Sequence, residues 1–232
     1  MKFALLFLLA GSALQFDVTD ARGKKPSGVA IEAGAPDADG WCHLSVVAKG
    51  KGDPVLIWPS DGLAKAPDGP EPIPAIVIQR GDENALSNLH VVAAIATPIL
   101  LGATTLDERA RETGFSAAAL SKAFAELTAS PDAFAGGIGL LYANKPVEAA
   151  DKLAQALRER QRQLTRMPSE IYPAAMLSGR ALVLENKFDA AAVAFMAALK
   201  DRPSSEAARK ARADALVKAG KPDAAEPILQ TR

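Results

Sequence analysis

The chain has 232 residues, and its 27 Lys and Arg balance 27 Asp and Glu, so the formal net charge at pH 7 is zero. A composition of 49% hydrophobic and 23% charged residues is ordinary for a globular protein with a buried core. Bulk charge therefore gives no reason to expect a nucleic-acid partner or an anionic membrane surface. The single cysteine, Cys42, excludes an internal disulfide bond. Its neighbour His43 has no second Cys/His pair at metal-ligand spacing, so no metal site is expected.

The stretch from Met1 to Ala13 predicts a secretory signal peptide. Lys2 precedes an apolar run over residues 3–9, and small residues follow as far as Ala13. The run is shorter than the roughly 20 apolar residues that a membrane-spanning helix needs. We therefore expect cleavage after Ala13, a periplasmic or secreted protein, and no transmembrane segment in the mature chain.

The next two segments differ in character. Residues 14–39 are rich in Gly, Pro, Ala and charged residues, which predicts a flexible leader. Residues 40–82 contain three short apolar runs at 41–47, 55–58 and 76–78, which predict strands. Residues 50–53 connect the first two runs and predict a hairpin turn. Trp41 and Trp58 are either a stacking surface for a ligand such as a sugar or part of the local core.

Residues 83–129 predict helices. Apolar residues from Leu86 to Ala96 recur near helical spacing, and Pro98 kinks or ends that helix. Two shorter helices are predicted at 106–113 and 116–128, separated by Gly114, with Ser116 as the N-cap of the second. This pair is open to interpretation as a degenerate copy of the repeat that follows it.

A repeated turn organises the remainder of the chain. The sequence NKFDAA, which begins at Asn186, recurs as GKPDAA, which begins at Gly220. An earlier version, NKPVEAA, begins at Asn144, so the first interval is longer than the second. The additional residues of the first interval are expected to extend a helix before Pro168. The interval from Asn186 to Gly220 is about 34 residues, which is the length of a tetratricopeptide repeat.

Residues 130–232 resemble a tetratricopeptide array. The middle copy has small residues where paired helices touch, Gly179, Ala191 and Ala198, with Phe195 between them and Pro203 at the closing turn. The resemblance implies a mainly α fold, an α-α superhelix of about three helical hairpins with preceding helices and a small N-terminal β-containing segment. An Ala-rich helical bundle with coincidental spacing is the alternative.

The resemblance also implies a binding groove, because the first helix of each tetratricopeptide hairpin lines the concave surface. The groove would change from apolar to cationic along the array and would suit a protein or peptide segment. The positions that correspond to the family's groove are Phe134, Ile138, Tyr142, Met176, Arg180, Leu184, Lys210, Asp214 and Lys218. The alternative is that the preceding helices cover Phe134, Ile138 and Tyr142 and that Lys210 and Lys218 are solvated surface.

No catalytic motif is present, and no cofactor is expected. The resulting hypothesis is an exported, non-enzymatic scaffold or adaptor in cell-envelope assembly. The alternative is a small-ligand or glycan-binding module at residues 41–80, with the repeats as a carrier or oligomerisation element.

Two features of the sequence have more than one interpretation. The basic residues of the insert at 158–166 either bind an anion or are a solvated helix end, and apolar residues of the last helix either pair with another chain or fray.

Overall fold

The computed structural model describes residues 14–50, 52–59, 61–66, 72–162 and 168–230, so the predicted signal peptide lies outside the described residues. The strands are β1 (Phe16–Thr19), β2 (Val29–Pro36), β3 (Trp41–Ala48), β4 (Pro54–Trp58), β5 (Leu63–Lys65) and β6 (Ile73–Gln79). The helices are α1 (Leu89–Leu100), α2 (Leu106–Thr113), α3 (Ala117–Glu126), α4 (Ala133–Tyr142), α5 (Pro146–Arg162), α6 (Pro168–Leu184), α7 (Phe188–Asp201), α8 (Glu206–Lys218) and α9 (Pro222–Gln230). The fold is mainly helical, with a small N-terminal β unit.

The β unit consists of two three-stranded sheets, with strand orders β1-β6-β4 and β2-β3-β5. One face of the first sheet packs on the second sheet through a cluster that includes Val18, Ala75 and Val77. Its opposite face, which carries Ile57 and Ile78, packs against the helices. The first sheet is therefore a middle layer between the second sheet and the helices.

Two local predictions for this region are wrong. The predicted flexible leader contains β1, which pairs in parallel with β6, and β2, which pairs antiparallel with β3. The predicted hairpin between the runs at 41–47 and 55–58 does not form either, because β3 lies between β2 and β5 while β4 pairs with β6. Both errors concern strand partners, which are set by contacts between residues distant in sequence and not by local composition.

The three helical hairpins, α4/α5, α6/α7 and α8/α9, have the same turn. Asn144, Asn186 and Gly220 adopt φ angles of 57°, 59° and 76°, respectively. In each copy the next residue, a lysine, donates its backbone N–H to a carbonyl five residues earlier, as in Lys187 N–H to Leu182 O at 2.9 Å. This is the Schellman arrangement for ending a helix with a left-handed residue. The repeated sequence therefore corresponds to a repeated backbone geometry.

Close helix contacts explain the small residues of the repeat. A Cβ atom added at Gly179 of α6 would lie 2.4 Å from the Phe195 ring of α7, and one at Gly137 of α4 would lie 2.6 Å from Leu153 of α5. Ala191 and Ala198 are fully buried at the same kind of contact. The helices of these hairpins can approach this closely only because the side chains between them are small.

A continuous core joins the β unit to the helices. It runs from Ile57 and Ile78 through α1 and α3 to Ile138 of α4 and Leu177 of α6. A second cluster, around Met176 and Phe195, fills the space between α6, α7 and α8. Among the described residues, no helix is both long enough and apolar enough to cross a membrane.

Candidate functional site

A groove of about 350 Å³ lies across α6, α7 and α8. We call it the α6–α8 groove. It is lined by Leu101, Met176, Arg180, Val183, Leu184, Phe195, Ala211, Asp214, Ala215 and Lys218.

The floor of the α6–α8 groove is apolar. Met176 and Phe195 are almost completely buried there and belong to the core between the helices. On α8 the lining residues nearest the floor are alanines, Ala211 and Ala215, whose small side chains leave an opening that larger residues would fill. Leu184, at the end of α6, is 50% exposed and extends the apolar surface to the rim. The groove thus offers an apolar depression of about one or two side chains in size.

Charged side chains stand around the apolar floor. Arg180, Asp214 and Lys218 line the groove and are exposed to solvent. Within the described part of the chain, Arg180 and Asp214 have neither an ion-pair nor a hydrogen-bond partner. The Lys218 ammonium lies 5.9 Å from the centre of the Phe188 ring, a long cation–π distance. Two cations and one anion are therefore available to a bound molecule.

The structure places five of the nine predicted groove residues in this groove: Met176, Arg180, Leu184, Asp214 and Lys218. Lys210 is exposed on α8 but does not line the groove. The assignment of these residues to partner binding stays a prediction. Five further lining residues are not among the predicted groove residues: Leu101, Val183, Phe195, Ala211 and Ala215. The sequence assigns Phe195 to helix packing, and Leu101 lies outside the array, so only the folded chain brings them to the groove.

The remaining predicted residues, Phe134, Ile138 and Tyr142 of α4, do not form an open surface. Phe134 and Ile138 are buried in the core that α4 shares with α1 and α3. The Tyr142 ring packs edge-on against Phe124 of α3, with ring centres 5.2 Å apart, and its hydroxyl donates to the Ser121 hydroxyl at 3.1 Å. Helices preceding the array cover these positions, which corrects the prediction of an apolar groove surface on the first hairpin.

The two tryptophans do not form a stacking surface. Trp41 is buried, and the guanidinium carbon of Arg202 lies 4.1 Å from the centre of its ring. Trp58 is half-buried against the helical core. Trp41 is therefore part of the local core, whereas Trp58 packs against the core and also lines a small cavity with Ile76 and His90.

Arg202 connects the β unit to the array. Its guanidinium lies between Trp41 of β3 and Tyr172 of α6, 4.2 Å from the latter ring centre, and forms an ion pair with Asp61. Around it, the Tyr172 hydroxyl shares a hydrogen bond of 2.8 Å with the hydroxyl of Ser205. We call this arrangement the Arg202 junction.

Asp201 lies beside Arg202 at the end of α7. Burial raises the pKa of its carboxyl from 3.8 to about 6, although Arg202 and a backbone hydrogen bond with Tyr172 oppose the shift. Its Oδ2 atom is buried, with no hydrogen-bond partner among the residues described. The carboxylate is therefore incompletely compensated at neutral pH, which makes the junction sensitive to protonation.

The described residues of the basic insert and the Cys42–His43 pair do not line the α6–α8 groove. Arg160 lies over the Phe134 ring at 4.5 Å, whereas Arg158 and Arg162 are exposed, and Arg166 lies outside the described residues. Cys42 is buried, and burial raises the pKa of its thiol. No cluster of three His, Cys, Asp or Glu side chains suited to a metal ion occurs in the described ranges.

Helical hairpins joined by turns of the same geometry and packed through small residues define a helical-repeat protein. Residues 182–232 match the family model described as Tetratricopeptide repeat. The chain therefore contains a tetratricopeptide repeat, and the matched segment includes α7, α8 and α9. Repeats of this family are typically protein-interaction modules. No curated protein and no solved structure shows significant similarity to the chain.

Proposed function

We propose that the protein is an exported, non-enzymatic scaffold or adaptor that holds a segment of a protein partner in the α6–α8 groove. The observation that carries this proposal is the combination of an apolar floor with exposed charges on helices of a tetratricopeptide segment. The three hairpins are proposed to stack as an α-α superhelix, with the groove on its concave side.

The groove favours one kind of partner segment. An aliphatic or aromatic side chain would enter the groove beside Leu184, because this apolar lining residue is 50% exposed whereas Met176 and Phe195 beneath are nearly buried. An acidic side chain beside it would meet Arg180 or Lys218, which outnumber the single carboxylate of Asp214. We therefore infer a partner segment that combines an apolar anchor with acidic residues.

The predicted signal peptide supports the placement of this work in the periplasm or outside the cell, and cell-envelope assembly is the proposed context. A nucleic-acid partner is not proposed, since the chain has no net charge.

The last two helices expose further apolar side chains: Leu229 of α9 and Val217 of α8 are both more than half exposed. Self-association through this end of the array is the proposed role of that surface.

The proposal is tested by substituting a groove residue and an equally exposed residue outside the groove. Leu184 and Val193 are 50% and 62% exposed, and of these two only Leu184 lines the groove. Residues 14–232 carrying Leu184→Asp or Val193→Asp would be used to capture partners from a cell-envelope extract. We expect Leu184→Asp to weaken retention of the specific partner roughly tenfold, and Val193→Asp to leave it unchanged.

Arg180→Ala gives a second test of the same groove. It should weaken binding and make the affinity less dependent on salt, because a rim cation acts mainly through screened electrostatic attraction. Equal retention by the parent, Leu184→Asp and Arg180→Ala would overturn the assignment of the groove.

A further inference from the structure

A second cleft, of about 690 Å³, lies between the β unit and the helices. We call it the sheet–helix cleft. Its aliphatic lining comprises Leu44 and Val46 of β3, Val55 and Leu56 of β4, and Pro98 and Leu101 at the end of α1. The volume is within the range of roughly 300–1,000 Å³ that is usual for small-molecule sites.

Guanidinium–carboxylate pairs lie along the lining of this cleft. Arg80 Nη1 is 3.1 Å from Asp53 Oδ2, and Arg109 Nη1 is 2.6 Å from Glu112 Oε2. The Arg109 side chain is only 6% exposed, whereas that of Glu112 is 52% exposed. Arg109 Nε is buried without a hydrogen-bond partner in the part of the chain described. A buried guanidinium with an unsatisfied donor carries a desolvation cost.

These pairs limit the charge of a ligand. Both guanidiniums in the described lining already have a carboxylate, and the third carboxylate, Asp61, is paired with Arg202. A polyanion would face three carboxylates and a polycation two guanidiniums, so each would meet like charges. A molecule with one carboxylate and one ammonium group suits a guanidinium–carboxylate pair. Its carboxylate can accept from the guanidinium, its ammonium group can donate to the carboxylate, and it adds no net charge.

The rest of the lining limits the body of the ligand. Sugars are commonly held on exposed aromatic rings, but among the described lining residues the only aromatic one is Tyr172, and its ring is already stacked with Arg202. The walls are otherwise largely aliphatic. An aliphatic body is therefore a better match than a sugar ring.

We propose that the sheet–helix cleft binds a small zwitterion with an aliphatic body, of the class of free aliphatic amino acids and short apolar peptides. The ligand carboxylate would accept from Arg109, the ammonium group would donate to Glu112, and the aliphatic part would lie along Leu44, Val46 and Leu56. This site adjoins the α6–α8 groove at Leu101, which lines both, but the proposal does not depend on the function proposed for that groove.

The experiment is calorimetric titration of residues 14–232 with L-leucine and the dipeptide Leu-Leu. N-acetyl-leucine, which lacks the ammonium group, and leucinamide, which lacks the carboxylate, serve as matched probes, with maltose as a neutral probe. We expect at least one zwitterion to bind roughly tenfold or more tightly than either singly charged probe. The proposal would be overturned if neither zwitterion binds, or if a singly charged probe binds as tightly as the zwitterions. Binding of maltose alone would also overturn it.

Variants of α2 locate the site. Glu112→Gln should weaken binding of the zwitterion roughly tenfold but should not weaken binding of N-acetyl-leucine, which has no ammonium group to donate to Glu112. Asp107→Asn, on the same helix and outside the lining, is the matched control and should bind like the parent. Glu112→Gln removes the charge paired with the buried Arg109 but keeps an oxygen that can accept from its guanidinium, and circular dichroism would verify that the variant folds. A Glu112→Gln variant that binds zwitterions as tightly as the parent would refute the assignment.

Discussion

At the scale of single residues, Arg202 holds the β unit and the array together through contacts that depend on its flat, delocalised charge. The guanidinium stacks between Trp41 and Tyr172 and pairs with Asp61. A lysine ammonium at the same position would be a compact point charge that cannot stack on two rings. Nothing in the local sequence around Arg202 indicates this role, because all three of its partners lie far from it along the chain.

The neighbouring Asp201 predicts a defined pH dependence of stability. Its pKa is about 6 in the folded protein and ordinarily 3.8, so the folded state binds more protons between about pH 4 and 6. The contribution of Asp201 is therefore most favourable below pH 4 and is lost as the pH rises through 6. Asp201→Asn should raise the free energy of unfolding at pH 7 by up to about 3 kcal/mol.

Denaturant unfolding of the parent and Asp201→Asn at a series of pH values measures this effect. The difference in the free energy of unfolding should grow from pH 4 to about pH 6 and be constant above it. Asp223→Asn, at an exposed position in the first turn of α9, is the control and should show no such trend. A difference that is independent of pH would contradict the raised pKa of Asp201.

At the scale of elements, the close contact of α6 and α7 predicts the cost of one methyl group. Gly179→Ala would place a Cβ 2.4 Å from the Phe195 ring, so the helices or the ring must move. We expect a loss of about 1–3 kcal/mol in the free energy of unfolding, despite the better helix propensity of alanine.

A double-mutant cycle with Phe195→Leu separates this clash from general effects on α6. The smaller side chain makes room for the new methyl group, so the double variant should be less destabilised than the sum of the two single variants. If the free-energy changes of the two single variants simply add, the alanine at position 179 does not act through Phe195. Chemical denaturation provides the free energies.

The elements differ in how far the sequence predicts them. The turns at Asn144, Asn186 and Gly220 and the contact of Gly179 with Phe195 follow from local sequence, because each depends on backbone conformation or on two neighbouring helices. The strands β1 and β2 do not follow from it, because their pairing requires partners far along the chain. The burial of predicted groove residues on α4 is likewise set by helices that precede the array, which the repeat pattern does not describe.

At the scale of the whole molecule, the continuous core predicts that the β unit and the helices unfold together. Both tryptophans belong to the β unit, whereas helices dominate the far-ultraviolet circular dichroism. Unfolding of residues 14–232 followed by tryptophan fluorescence and by circular dichroism should therefore give coincident transitions. A fluorescence transition at lower denaturant concentration would show that the β unit separates from the array first.

One helix takes part in the two openings described above. Tyr172 and Pro173 near the start of α6 line the sheet–helix cleft, while Met176 and Arg180, one and two turns later, line the α6–α8 groove. A rigid displacement of α6 would alter both openings together. Linked equilibria are reciprocal, so if filling the cleft changed the affinity of the groove for its partner by some factor, the partner would change the affinity of the cleft by the same factor. The 17 residues of α6 would then couple the affinity for a small molecule in the cleft to the affinity for a protein in the groove.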